Sequence, residues 1–171
     1  MIELDPEALH TLRFVIFELI GEKLKDVRVK QVANLLFLCV ANSVRSQMAE
    51  GFASAWFGGP VSVRSAGSQP TFLHPMVVRV MAELGIDISY QCPKGIDTID
   101  LEGVDVVITL CAEEVYPVLS GSTKQLNWPI LDPVHPCVSS NEEINYFREA
   151  RDEIVFRFKM FADERSLRTV I

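Results

Sequence analysis

Residues 35–51, Leu35-Leu36-Phe37-Leu38-Cys39-Val40-Ala41-Asn42-Ser43-Val44-Arg45-Ser46-Gln47-Met48-Ala49-Glu50-Gly51, decide how this chain is read. Four consecutive apolar residues, Leu35 to Leu38, fit a short strand buried on both faces. The next residues carry neither proline nor a bulky side chain and so leave room for a tight loop. From Ser46 onward the spacing of Met48, Ala49, Phe52 and Trp56 is that of a helix, which Gly58-Gly59-Pro60 stops. Strand, loop, helix places Cys39 near the positive end of the helix dipole. The loop residues Val40, Ala41, Asn42, Ser43, Val44 and Arg45 can curl so that backbone N–H groups face a tetrahedral oxyanion. Arg45, six residues after the cysteine, can fold back and grip two oxygens of that anion. The same field favours a thiolate on Cys39, whose ordinary pKa of ~8.5 falls to roughly 3.5–7.5 beside a helix N-terminus and a cation. Ser46 can donate to the sulfur, and Asn42 tolerates a left-handed backbone.

Outward from this stretch the pattern alternates. Val61–Ser65 reads as a second strand, Pro75–Leu84 as a helix ended by Gly85, Val104–Leu110 as a third strand, and Ala112–Leu119 as a short helix. Lys124–Trp128 reads as a fourth strand. After the loop 129–136, Ser140 and Glu143 form a capping box for a long last helix that buries Ile144, Phe147, Ile154, Phe158 and Phe161. Strands separated by helices imply a three-layer α/β/α fold on a four-stranded parallel sheet. Ligands of such sheets bind beyond the carboxyl ends of the strands. Cys39, Ser65-Ala66-Gly67, Cys111 and Asp132 all follow strands and are therefore expected on one rim. Residues 1–32 are read as an N-terminal helical extension to a domain spanning 33–165. Asp5-Pro6 starts its helix, and Leu9, Leu12, Ile16, Leu19 and Ile20 give it an apolar face that packs on the domain or pairs two copies as a homodimer.

A chain of 171 residues, 49% hydrophobic, can build one sizeable core. Its net charge of −7 argues against nucleic acid as a partner. No apolar run approaches the ~20 residues of a membrane span, and Glu3, Asp5 and Glu7 occupy the place of a basic signal-peptide start. Cytoplasmic residence is expected. The four cysteines, Cys39, Cys92, Cys111 and Cys137, form no CxxC pair, which argues against a zinc site and for free thiols. Cys111 alone reads as a small residue closing a buried strand, and Asp132-Pro133 alone as the start of a turn.

Cys39-Val40-Ala41-Asn42-Ser43-Val44-Arg45-Ser46 resembles the phosphate loop of the low-molecular-weight protein tyrosine phosphatase superfamily, and the resemblance runs from about Leu35 to Met160. Ser46 to Gly51, Ser65-Ala66-Gly67, Glu83 to Ser89 and Thr109-Leu110-Cys111 are similar to its arsenate reductase branch. The resemblance implies that Cys39 attacks arsenate, Arg45 clamps it, Ser46 supports the thiolate, Asp132 supplies a proton, and Cys111 resolves the adduct into a Cys39–Cys111 disulfide. It also implies a thioredoxin, a glutaredoxin or a small thiol as reductant. Thioredoxin-linked reductases carry further cysteines where this chain has Val44 and Tyr116, the latter before Pro117. Cys92 and Cys137 are read as bystanders that could substitute, and His135 as a loop residue.

Some reductases of this fold hold a potassium ion through residues matching Asn42, Glu50 and Ser65. Lys94 stands where their aspartate is expected, which implies neither metal nor cofactor here. The main alternative is a phosphatase that hydrolyses phosphomonoesters through a phosphocysteine on Cys39. A non-catalytic oxyanion-binding or partner-binding protein is the third.

Overall fold

The computed structural model describes residues 34–59, 61–112, 123–134 and 140–164. Residues 1–33 with their expected helix and pairing face, the helix expected at Ala112–Leu119, Tyr116, His135 and Cys137 lie outside the described residues.

Strand β1 (Asn34–Cys39) leads into helix α1 (Arg45–Phe57). Strand β2 (Ser62–Gly67) leads into helix α2 (Pro75–Ala82). A 3-10 turn over Ile96–Thr98 precedes β3 (Val106–Thr109) and β4 (Lys124–Asn127), and α3 (Ser140–Glu164) ends the fold. Among the described residues, the expected elements are present with shifted ends. β2 runs two residues past Ser65 because Ala66 and Gly67 continue the ladder with Leu38 and Cys39. β3 is shorter at both ends than expected: Val104 turns back to the Leu101 carbonyl, while the Asp105 and Leu110 N–H groups still donate to the Asn34 and Leu38 carbonyls of β1. The expected Ser140 capping box cannot be described, because the residues before α3 and its first side chains are outside the described set.

All three strand pairings are parallel, in the order β2-β1-β3-β4. The chain leaves β1 to one side for β2, then returns to the other side for β3. That reversal opens a crevice over the carboxyl ends of the two central strands. β1 is buried along nearly its whole length, as its unbroken apolar run predicts. One face of it, Leu35 and Phe37, joins the core beneath α1, α2 and α3; the other, Leu36 and Leu38, packs with Ala66, Val104 and Val107.

Phe158 of α3 is the centre of the larger core. It is fully buried and sits edge-on to Phe52, Trp56 and Phe57, with ring centroids 5.5–6.0 Å away. Phe37 and Phe161 close the cluster. α3 is tied to α2 as well: the wholly buried Arg151 donates to the Val80 carbonyl and pairs with Glu83 at 2.7 Å. A buried guanidinium is tolerated because its donors are taken up by carbonyl and carboxylate oxygens. Among the described residues no helix is long and apolar enough to cross a membrane.

Phe158→Ala removes the ring on which five aromatic neighbours converge. The variant is expected to lose about 3–5 kcal/mol of unfolding free energy by denaturant titration. A loss under 1 kcal/mol would mean that the helix face closes over the cavity.

Candidate active site

Strand register decides what meets at the rim. Leu38 of β1 lies opposite Thr109 of β3, and the Leu110 N–H donates to the Leu38 carbonyl at 2.8 Å. Cys39, one residue beyond Leu38, and Cys111, two beyond Thr109, are thereby carried to the same rim, both almost completely buried. Beyond β4, the Trp128 N–H donates to the Thr109 carbonyl and the Ile130 N–H to the Leu110 carbonyl. This swings the following loop, with Asp132, over the crevice.

The oxyanion loop turns at Asn42, whose φ of 45° is the left-handed backbone expected there. Asn42 is fully buried and its side chain is fully engaged. Its Nδ2 donates to Ser46 Oγ and to Ser65 Oγ, both at 2.8 Å. Its Oδ1 accepts from the Lys94 N–H at 2.7 Å and from Gln47 Nε2 at 3.0 Å. The outer side of the loop is strapped by the segment after β2: the Gln69, Thr71 and His74 N–H groups donate to the Val40, Ala41 and Ser43 carbonyls. Gly67 lies directly beneath, where a Cβ would come within 2.3 Å of the Val40 oxygen and 2.8 Å of the Asn42 nitrogen. Only glycine permits that approach.

Cys39 Sγ lies 2.9 Å from Ser46 Oγ. Its pKa is lowered to about 6. The hydrogen bond from the Cys111 thiol is the largest cause, followed among the lowering ones by the Ser46 hydrogen bonds and the Arg45 charge, against the opposing effect of burial. Cys111 is pushed up in turn, first by its bond to the Cys39 sulfur and then by burial. At neutral pH the pair is therefore a thiolate at Cys39 with a protonated Cys111 as its donor. Neither is in a disulfide.

Arg45, buried at the start of α1, reaches across to the β4 loop. It donates to the Ile130 carbonyl at 3.0 Å and pairs with Asp132 Oδ2 at 2.8 Å. The Asp132 side chain is half exposed, and its other carboxylate oxygen accepts from the Val134 N–H. A clamp, a thiolate and a carboxyl group thus adjoin one loop that can seat a tetrahedral anion.

The structure brings Cys39, Ser46, Arg45, Asp132 and Cys111 together with the loop residues 40–44. Cys92 is exposed and stands on the segment before Lys94, where its thiol reaches only the Tyr90 carbonyl. Sequence reasoning missed three contributors. Gln47 grips both the backbone and side-chain oxygens of Asn42, the Ile130 carbonyl holds Arg45, and Gly67 makes room for the loop. Gln47 and Gly67 stand in motifs already singled out; nothing in the sequence signals a backbone carbonyl.

The family model described as low molecular weight phosphotyrosine protein phosphatase matches residues 34–168. The arsenate reductase of Bacillus subtilis (strain 168) is 40% identical over 131 residues, covering 75% of this chain and 94% of the relative. The solved structure of an arsenate reductase in the phosphate binding state superposes with a TM-score of 0.66 at 31% identity, over 78% of this chain and 99% of that one. The thioredoxin-dependent arsenate reductase Cg_ArsC1' of Corynebacterium glutamicum has a TM-score of 0.64 at 28% identity, covering 90% of this chain and 70% of that one.

The Cys39 thiolate should be followed by its ultraviolet absorbance, with Cys39→Ser as the blank. Its midpoint is expected near pH 6. Cys111→Ala removes the strongest donor to the anion and is expected to raise that midpoint by about one unit or more. An unchanged midpoint would show that Ser46 and Arg45 suffice.

Proposed function

Since this chain belongs to the low molecular weight phosphotyrosine protein phosphatase family, and its relatives at about 40% identity are arsenate reductases, we propose that it reduces arsenate to arsenite with electrons from its own thiols. The observation that carries this reading is the meeting of Cys39 and Cys111, two buried free thiols brought to one rim by the parallel pairing of β1 and β3.

The chemistry follows from the groups present. Arsenate enters the loop and takes over the Arg45 donors now shared by Ile130 and Asp132. The Cys39 thiolate attacks arsenic, and one arsenate oxygen leaves as water, with Asp132 as the proton source. Arsenic is still pentavalent in this thiol adduct. Cys111 then attacks the Cys39 sulfur. The S–S bond forms, the S–As bond breaks, and its electron pair stays on arsenic, which departs as trivalent arsenite. The Cys111 proton goes to the departing oxyanion or to solvent. The Cys39–Cys111 disulfide is returned to two thiols by an external dithiol, for which a thioredoxin is our first choice and a glutaredoxin or small thiol the next. A reducing compartment, the cytoplasm, suits such a cycle. We assign the catalytic domain to residues 33–165 and leave residues 1–32 as an appended segment whose apolar face packs on the domain or pairs two copies. The Lys94 ammonium sits 3.1 Å from Glu50 beside the loop, which supports a site that works without a metal ion.

The phosphatase alternative draws on the same loop and on Asp132. It differs in having no task for Cys111.

Arsenate turnover with thioredoxin, glutaredoxin and small thiols separates the readings. Cys39→Ser is expected to abolish arsenite release. Cys111→Ser is expected to lower thioredoxin-driven turnover by at least ~10³-fold, because the arsenic adduct has no resolving thiol. A Cys111→Ser protein as active as the parent, or steady hydrolysis of an aryl phosphate that needs Cys39 and Asp132 but not Cys111, would overturn the reductase reading. Replacing potassium by sodium or choline salts is expected to leave turnover unchanged; a loss beyond about 10-fold would restore a bound-cation role.

A further inference from the structure

The sheet ends at β4, and beside that edge lies an apolar groove. In the order β2-β1-β3-β4, β4 pairs only with β3 among the described residues. Leu126 and Trp128, on and just past β4, form one wall. Phe156, Met160 and Phe161 of α3 form the other, around a cavity of about 300 Å³. Phe161 and Trp128 belong to the core, edge-on with ring centroids 5.8 Å apart. Phe156 and Met160, one turn apart, are 60% and 48% exposed. Single exposed apolar side chains are ordinary. Two of them lining a groove beside an open sheet edge mark a surface made to be covered.

The chain itself enters the fold at this groove. The Asp105 N–H donates to the Asn34 carbonyl at 3.0 Å, and the Lys124 N–H to the Asp105 carbonyl at 2.8 Å. The amino ends of β1, β3 and β4 are therefore level, and Lys124 lines the groove. Residue 33 joins β1 only two strand spacings away, ~10 Å. Residues 21–33 can reach at most ~45 Å when extended, so the segment before them is held within easy range. From Leu12 to Ile20 its expected apolar face runs ~12 Å along a helix, and Glu153 to Phe161 on α3 runs the same ~12 Å. The charges also match. Residues 1–22 carry Glu3, Asp5, Glu7, Glu18 and Glu22 against Arg13. The groove has Lys124 and Arg157 at its rim against Glu153.

We propose that the groove between β4 and α3 is the docking site of this chain's own residues 6–20, with Leu12, Ile16, Leu19 and Ile20 laid on Phe156, Met160 and Leu126. A tether of this length holds the segment at an effective concentration on the order of millimolar, which favours it over the same segment of a second copy. The docked segment closes the sheet edge and takes two large apolar side chains out of water. Only the assignment of residues 1–32 as an appended segment is presupposed; arsenate turnover does not enter the measurement below, so either reading can fail without the other.

The test is amide hydrogen exchange of the full chain, followed by mass spectrometry, beside sedimentation at the same concentrations. In the parent, the amides of residues 6–20 are expected to exchange at least ~10-fold more slowly than unstructured chain. Phe156→Glu, Met160→Glu and Ile16→Glu are each expected to remove that protection and to leave β1 protected. Should a charge on α3 unfold the domain, seen as lost protection of β1, Phe156→Ser and Met160→Ser are read instead. Unprotected amides at 6–20 in the parent overturn the proposal. So does protection that Ile16→Glu abolishes but the α3 variants leave intact, because the segment then rests elsewhere. Protection that falls on dilution as dimers dissociate overturns it too, since a second copy then holds the segment.

Discussion

Asn42 accepts two hydrogen bonds and donates two inside the protein while its backbone sits in the left-handed region. A non-glycine residue there is unfavourable by itself. It is held because the buried amide finds all its partners at once: Ser46 on α1, Ser65 on β2, Lys94 on the connector to β3, and Gln47 one turn into α1. Loss of any one leaves a buried donor or acceptor unmatched, which costs about 1–3 kcal/mol. The loop is therefore preorganised by satisfied hydrogen bonds around one side chain. Neither a metal nor a disulfide among the described residues is needed to explain its shape.

Preorganisation matters because of what the loop encloses. A thiolate buried to this degree would ordinarily be disfavoured, and burial does push against it. Two short-range donors, Cys111 and Ser46, outweigh that effect, with Arg45 adding charge. Both donors are positioned by the sheet, one at the end of β3 and one at the start of the helix that β1 feeds. The sheet thus fixes the electrostatics of the sulfur, and any attack on an oxyanion starts from a nucleophile already ionised near neutral pH.

Much of this could be read from residues 35–51 alone. A buried strand, a cysteine at its end, an arginine six residues on and a helix start were enough to expect an oxyanion loop and a left-handed Asn42. Alternation of elements was enough to expect a parallel sheet. The order of its strands was not legible, since spacing along the chain says nothing of which strand lies beside which. Only the adjacency of β1 and β3 makes Cys111 a partner of Cys39 and not a bystander like Cys92. The resemblance had suggested that pairing, and the register supplies its physical reason. β2 runs past its expected end for a similar cause: ladder bonds to β1, absent from local pattern, carry it on to Gly67.

Of the two positions where the resemblance leads one to expect further thiols, Val44 lies among the described residues. Val44 is nearly buried at the base of α1, packed in the main core. With valine at position 44, Cys111 is the thiol that the β1–β3 pairing carries to Cys39. Both members of that pair are buried, so a disulfide between them would be hidden from a large reductant unless the Cys111 end of β3 moved. That strand end is held by the Leu110 N–H on Leu38 and the Ile130 N–H on the Leu110 carbonyl. No hydrogen bond of the Asn42 side chain reaches β3, so the loop and the Cys111 end of β3 are held by separate sets of bonds.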